Sequence, residues 1–137
     1  MAGSKSNYLE NAILNAVLGG PSFSLPGTVH IALSSAAYSE SATGASMTEL
    51  SGAGYSRVAV TNNATNWPAA SGGQKSNGTA ITFGVATGDW LTIQSFYICD
   101  AATNGNILYG GDLATARTVL SGDSCSFGIG AIVITED

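Results

Sequence analysis

The chain has 137 residues and a formal net charge of -5, with only 9% charged residues against 45% hydrophobic ones. That length suits one domain with a proper core, and the four basic residues, Lys5, Arg57, Lys75 and Arg117, are scattered, which excludes the basic stripe that nucleic-acid binding needs. No apolar run approaches the ~20 residues of a membrane-spanning helix, so the low charge points to a surface covered by protein neighbours, while 18 glycines among many small polar residues suit short strands with frequent turns.

Residues Met1 to Asn11 lack the charged, then apolar, then small pattern of a secretory signal, so folding in the cytoplasm of synthesis is expected. A helix is predicted from Asn7 to Leu18. Asn7 and Glu10 have the spacing of a capping box. Leu9, Ala12, Ile13, Ala16 and Val17 recur at helical spacing, and Gly19-Gly20-Pro21 stops the run. This apolar helix must pack on a sheet or on another subunit.

Thr28 to Ser34 reads as a strand, with Val29, Ile31 and Leu33 on one face and the only histidine, His30, on the other. His30 is expected to be packed or half-exposed rather than a ligand or base. Ser35 to Gly54 is a long loop, of a length associated with function or mobility. Gly54 to Thr61 is the next predicted strand. Asn62 to Asn77 is a polar loop interrupted by Trp67-Pro68. Trp67 reads as a plug over the end of the core, the alternative being a binding platform. Thr79 to Phe83 is a short strand with Ile81 and Phe83 inward.

The most structured stretch runs from Trp90 to Leu113. Two apolar runs, Leu91 to Cys99 and Ile107 to Tyr109, flank a turn with Asn104-Gly105, a strong hairpin signal. The connection from Asp100 to Asn106 exceeds a two-residue turn, so a wider loop or bulge is expected. The first run is nearly continuous in apolar residues, which suits a strand covered on both faces. Arg117 to Leu120 is a short extended run, Ser121-Gly122-Asp123 a turn, and Cys125 to Thr135 the last strand region. About seven or eight short strands and one helix argue for an all-β fold, a jelly-roll-like β-sandwich with one short N-terminal helix. The expected division is a helical segment over 1–20 and a single sandwich domain over 21–137.

The residues offer little chemistry. A nucleophilic site would rest wholly on His30. Asp89, Asp100, Asp112 and Asp123 lie beside Gly, Ala or Ser in predicted turns, where an aspartate bonds its own backbone. Gly72-Gly73-Gln74-Lys75-Ser76 lacks the upstream glycine of a phosphate loop and precedes a strand. Cys99 and Cys125 have no second metal ligand nearby and read as buried thiols, with a disulfide the alternative. Neither an enzyme nor a cofactor is expected. Calcium in a cluster of loop Asp and Asn side chains is a weak alternative.

The order of several stretches carries a resemblance. They are Ser6 to Asn11 with the helix to Gly20; Val29 to Ser34; Gly54 to Val60; Lys75-Ser76-Asn77 before Ile81-Thr82-Phe83; Ala86 to Trp90; Asp100 to Leu108; and the Gly122-Asp123 turn with its following strand. Together they resemble a family of small tailed-bacteriophage virion proteins, described as capsid cement or decoration proteins, head fibres and tail-fibre-like proteins. Trp67-Pro68 in a lengthened loop and the two cysteines depart from that pattern. The resemblance implies a homotrimer on the outside of a phage head, made in the host bacterial cytoplasm. It would bind the major capsid protein and neither nucleic acid nor membrane. Under that reading the candidate capsid or subunit contacts are Tyr8, Leu9, Ile13, Val17, Tyr38, Met47 and Trp67. The alternative is a tail-fibre or receptor-binding element in which Trp67 and Trp90 stack on host sugars.

Overall fold

The computed structural model describes residues 2–136. In chain order they form β1 (Ala2–Lys5), α1 (Asn7–Val17), β2 (Thr28–Ser34), β3 (Val58–Thr61), β4 (Gln74–Ser76), β5 (Ile81–Thr82), β6 (Ile93–Cys99), β7 (Ile107–Arg117), β8 (Ser126–Phe127) and β9 (Val133–Thr135). Seven strands make one sheet in the order β3-β2-β6-β7-β1-β9-β4, and β5 pairs with β8 separately. The fold is all-β and sandwich-like with one short helix.

The β6–β7 hairpin is the centre of the large sheet, as its apolar pattern requires. Strand β6 pairs with β2 through Ile31↔Ile98 and Leu33↔Phe96, and with β7 through Phe96↔Gly111 and Ile98↔Tyr109. Its connection to β7 is the expected wide loop. The Asp100 carboxylate accepts the Asn106 main-chain N–H at 2.8 Å and its side-chain amide at 2.9 Å. Asn104 and Gly105 adopt φ of 51° and 69°, the left-handed values that Asn-Gly tolerates.

Strand β6 is buried on both faces, each against a different layer. Phe96 and Ile98 join the main core with Ile31, Leu33, Phe83, Trp90 and Phe127. Tyr97 and Cys99 join a second cluster with Ala32, Met47 and Ile107, closed by Tyr38 and Ala42. The long loop after β2 therefore forms a packed plate over the sheet. The Ser95 hydroxyl donates to Ala36 O at 2.6 Å, the Tyr97 hydroxyl accepts from Ser39 N at 3.0 Å, and the Tyr38 hydroxyl donates to Lys5 O at 3.0 Å. The Tyr38 ring lies where a Cβ on Gly110 would stand.

Several elements differ from the sequence reading. Residues Ala2–Lys5, for which no strand was predicted, pair antiparallel with β7 (Ser4↔Gly110) and parallel with β9 (Gly3↔Ile134). The stretch 1–20 thus contributes a sheet strand as well as the helix. The helix cap is Ser6, not Asn7. Its buried hydroxyl accepts Leu9 N at 3.2 Å and donates to Ile107 O, so one side chain caps α1 and ties it to the hairpin. The strand predicted from Gly54 shortens to Val58–Thr61, because Tyr55 leaves the ladder to receive Leu33 N on its hydroxyl at 3.0 Å. The final strand region breaks into β8 and β9 around Gly128 and Gly130. Buried Asn77 holds the break: its amide donates to Thr79 O and Gly128 O, and its carbonyl accepts Ile132 N.

Candidate assembly surface

The chemistry-bearing residues are occupied by folding contacts. Asp89 accepts Ser121 N at 2.8 Å, Asp112 accepts Tyr38 N at 2.6 Å and Asp123 accepts Leu120 N at 3.2 Å. With Asp100 on Asn106, all four aspartates hold backbone, but only Asp100 and Asp123 bond their own turns as the turn reading expects; Asp112 lies within β7 and, like Asp89, reaches a segment distant in sequence. Cys99 and Cys125 are free and buried. Burial pushes the Cys99 thiol up to about 12, and the Cys125 thiol also upward. Both stay protonated and unreactive near neutrality. His30 is half-buried on β2. Among the described residues no group of three His, Cys, Asp or Glu could hold a metal ion.

Arg57 is the most connected polar group. Its guanidinium grips the Glu49 carboxylate with Nε at 2.8 Å and Nη2 at 2.9 Å. It also donates to Ala101 O at 2.7 Å, Asn104 O at 3.0 Å and Gly44 O at 3.3 Å. The Tyr55 hydroxyl donates to Glu49 at 2.7 Å. This clamp joins the plate loop to the hairpin loop and leaves no vacant position for a ligand.

The surface presents apolar side chains instead. Leu9 and Ile13 turn the inner face of α1 to the core. On its outer side Leu14, Val17 and Leu18 are 58%, 73% and 74% exposed, and Leu25 in the next segment is 77% exposed. No Asp, Glu, Lys or Arg occurs from Asn11 to Ser39. Beside the helix lies an apolar cavity of about 560 Å³, walled by Leu9, Phe23, Leu25, Val29, Trp67 and Leu108. A second apolar group, Val85, Leu91 and Leu120, is exposed at the open end of the β6–β7 hairpin. There Trp90 N donates to Val119 O and Ala86 N to Asp123 O, which holds the two segments side by side.

The chain matches the family described as podophage GP4 fiber I protein gp80 over residues 4–135. It belongs to that family. No curated protein matches the chain. Members are structural phage proteins, and this chain is accordingly a structural component of a phage virion.

The contacts expected from sequence divide sharply within the family fold. Val17 and Tyr8 are exposed, and Ile13 and Tyr38 are half-buried. Leu9, Met47 and Trp67 are buried in the subunit's own core, and Leu9 and Trp67 reach the surface only as walls of the cavity. Sugar stacking by Trp67 and Trp90 fails for the same reason: they are 8% and 6% exposed, and Trp90 Nε1 donates to Ala53 O at 2.8 Å. Trp67 is the expected core plug. Sequence reasoning missed Leu14, Leu18, Leu25, Leu91 and Leu120. Leu14 and Leu18 stand four apart outside the Leu9–Ile13 stripe, in a helix with no charge after Glu10. That all-round apolar character was the available signal.

Proposed function

We propose that the protein is a fibre-type subunit on the outside of the phage particle, assembled from copies of itself through the apolar end formed by α1 and the segment to Leu25. The single observation that carries this reading is the charge-free run from Asn11 to Ser39, which exposes Leu14, Val17, Leu18 and Leu25 beside an apolar cavity. Fully burying such side chains contributes about 1.5–3 kcal/mol each. Because they are already partly covered, the four together supply roughly 5–8 kcal/mol. Association itself costs about 4–15 kcal/mol. The strip alone therefore holds copies weakly, and a stable contact must extend across the cavity walls towards the roughly 800 Å² per partner of an ordinary interface. A closed trimer is the assembly proposed.

Light scattering on the purified protein tests this directly. The wild type should run as an oligomer, and Leu14→Glu with Leu18→Glu should run as a monomer with an unchanged circular dichroism spectrum. A wild type that stays monomeric at high concentration refutes the assembly.

The second apolar group, Val85, Leu91 and Leu120, favours a second reading, decoration of the head. A decoration subunit needs one surface for its copies and another for the shell, here the major capsid protein. Co-sedimentation with purified undecorated heads distinguishes the two: binding lost on Leu91→Glu supports decoration, and no binding supports the fibre.

A further inference from the structure

Two Asn-Gly pairs occur in the chain, Asn77-Gly78 and Asn104-Gly105. Glycine after asparagine leaves the next main-chain nitrogen unhindered by a Cβ. That nitrogen can attack the asparagine Cγ, forming a C–N bond and expelling the side-chain nitrogen as ammonia. Water then opens the resulting cyclic imide at either carbonyl. One product is aspartate, and the other is isoaspartate, whose chain runs through Cβ.

The fold treats the two pairs oppositely. Asn77 is 1% exposed. Its amide donates to Thr79 O at 2.8 Å and Gly128 O at 2.9 Å, and its carbonyl accepts Ile132 N at 2.9 Å. The attacking nitrogen, Gly78 N, is itself engaged, donating to Asn66 O at 2.7 Å. Asn104 is exposed on the hairpin loop. Among the described residues, neither its side-chain amide nor Gly105 N makes a hydrogen bond, although its main-chain oxygen accepts Arg57 Nη1 at 3.0 Å.

We propose that Asn104 is a site of spontaneous deamidation, and that the fold confines the reaction to it by locking Asn77. In the isoaspartyl product the former main-chain carbonyl of residue 104 becomes the free carboxylate. That is the group Arg57 already holds, so the contact becomes charge-assisted and the clamp is kept. A virion subunit outside a host is not resynthesised, so the added negative charge accumulates with particle age.

The test is peptide mapping by mass spectrometry after the full-length protein has aged in warm, mildly alkaline buffer, folded and in guanidinium. In the folded protein the amide-to-acid mass gain should appear at Asn104 on the order of a hundredfold faster than at Asn77, since the hydrogen bonds of the Asn77 side chain and of Gly78 N must open at the latter. In guanidinium the two rates should converge. Asn104→Gln should remove the new acidic species from ion-exchange profiles. Folded protein that keeps Asn104 intact, or converts Asn77 equally fast, overturns the proposal.

Discussion

Replacing Arg57 with methionine should cost this fold about 3 kcal/mol. The side chain is 2% exposed and Glu49 is 21% exposed. Methionine keeps most of the apolar stem but removes the whole fork. Glu49 then loses both of its guanidinium bonds and keeps only the Tyr55 hydroxyl, while the carbonyls of Gly44, Ala101 and Asn104 lose their shared donor. Breaking one side of a buried pair costs about 3–5 kcal/mol, and the partial access of Glu49 to water sets the lower end. For a chain of this length the loss corresponds to a fall in melting temperature of roughly 10–15 °C. Urea unfolding followed by circular dichroism measures it. Arg57→Lys should recover little, because an ammonium cannot make the two-pronged contact. In a double-mutant cycle with Glu49→Gln the two losses should fall well short of additive. A loss under about 1 kcal/mol, the range of a surface ion pair, would mean that the clamp does not join the two loops.

Phe96 is wholly buried, edge-on to Phe127 with centroids 6.1 Å apart, so Phe96→Asp should abolish cooperative unfolding by stranding a charge in the core. Glu40→Ala should leave the melting curve unchanged, since the side chain is exposed and Asn7 N bonds the main-chain oxygen of residue 40. A Cβ on Gly44 would overlap the Asn104 carbonyl, so Gly44→Ala should lower stability by about 1–3 kcal/mol in calorimetry; an unchanged transition would show that the loops separate freely. Alkali should destabilise the protein progressively. Burial pushes Cys99, Tyr38 and Tyr109 up to about 12 from ordinary values of 9.0, 10.0 and 10.0, with Glu136 adding to the effect at Tyr109. Each group holds its proton more tightly when folded, so stability is full below the unfolded values and falls from about pH 9 towards 12. Flat stability across that window, or Cys99 alkylation at pH 8 without unfolding, would contradict the burial.

The sequence by itself determined what repetition and turn chemistry encode locally. Strand β2 coincides with its predicted range, because Val29, Ile31 and Leu33 alternate across one sheet face. The central hairpin followed from two apolar runs around Asn104-Gly105, and burial of both faces of β6 followed from its nearly continuous apolar run. The turn roles of Asp100 and Asp123 and the Trp67 plug were equally legible, whereas Asp112 lies within a strand. Tertiary structure alone decided which segments meet. Strand β1 carries only Ala, Gly, Ser and Lys, so no period marks it, and its partners are supplied by residues near 110 and 134. The Arg57 clamp draws on loops that share no sequence pattern. Composition pointed to a sparsely charged surface covered by neighbours without locating it. Leu9 and Leu14 are chemically alike, and only the docking of α1 on β1 and β7 turns the first to the core and leaves the second exposed. A local pattern reports that a residue is apolar, whereas its burial depends on partners that folding brings from elsewhere in the chain.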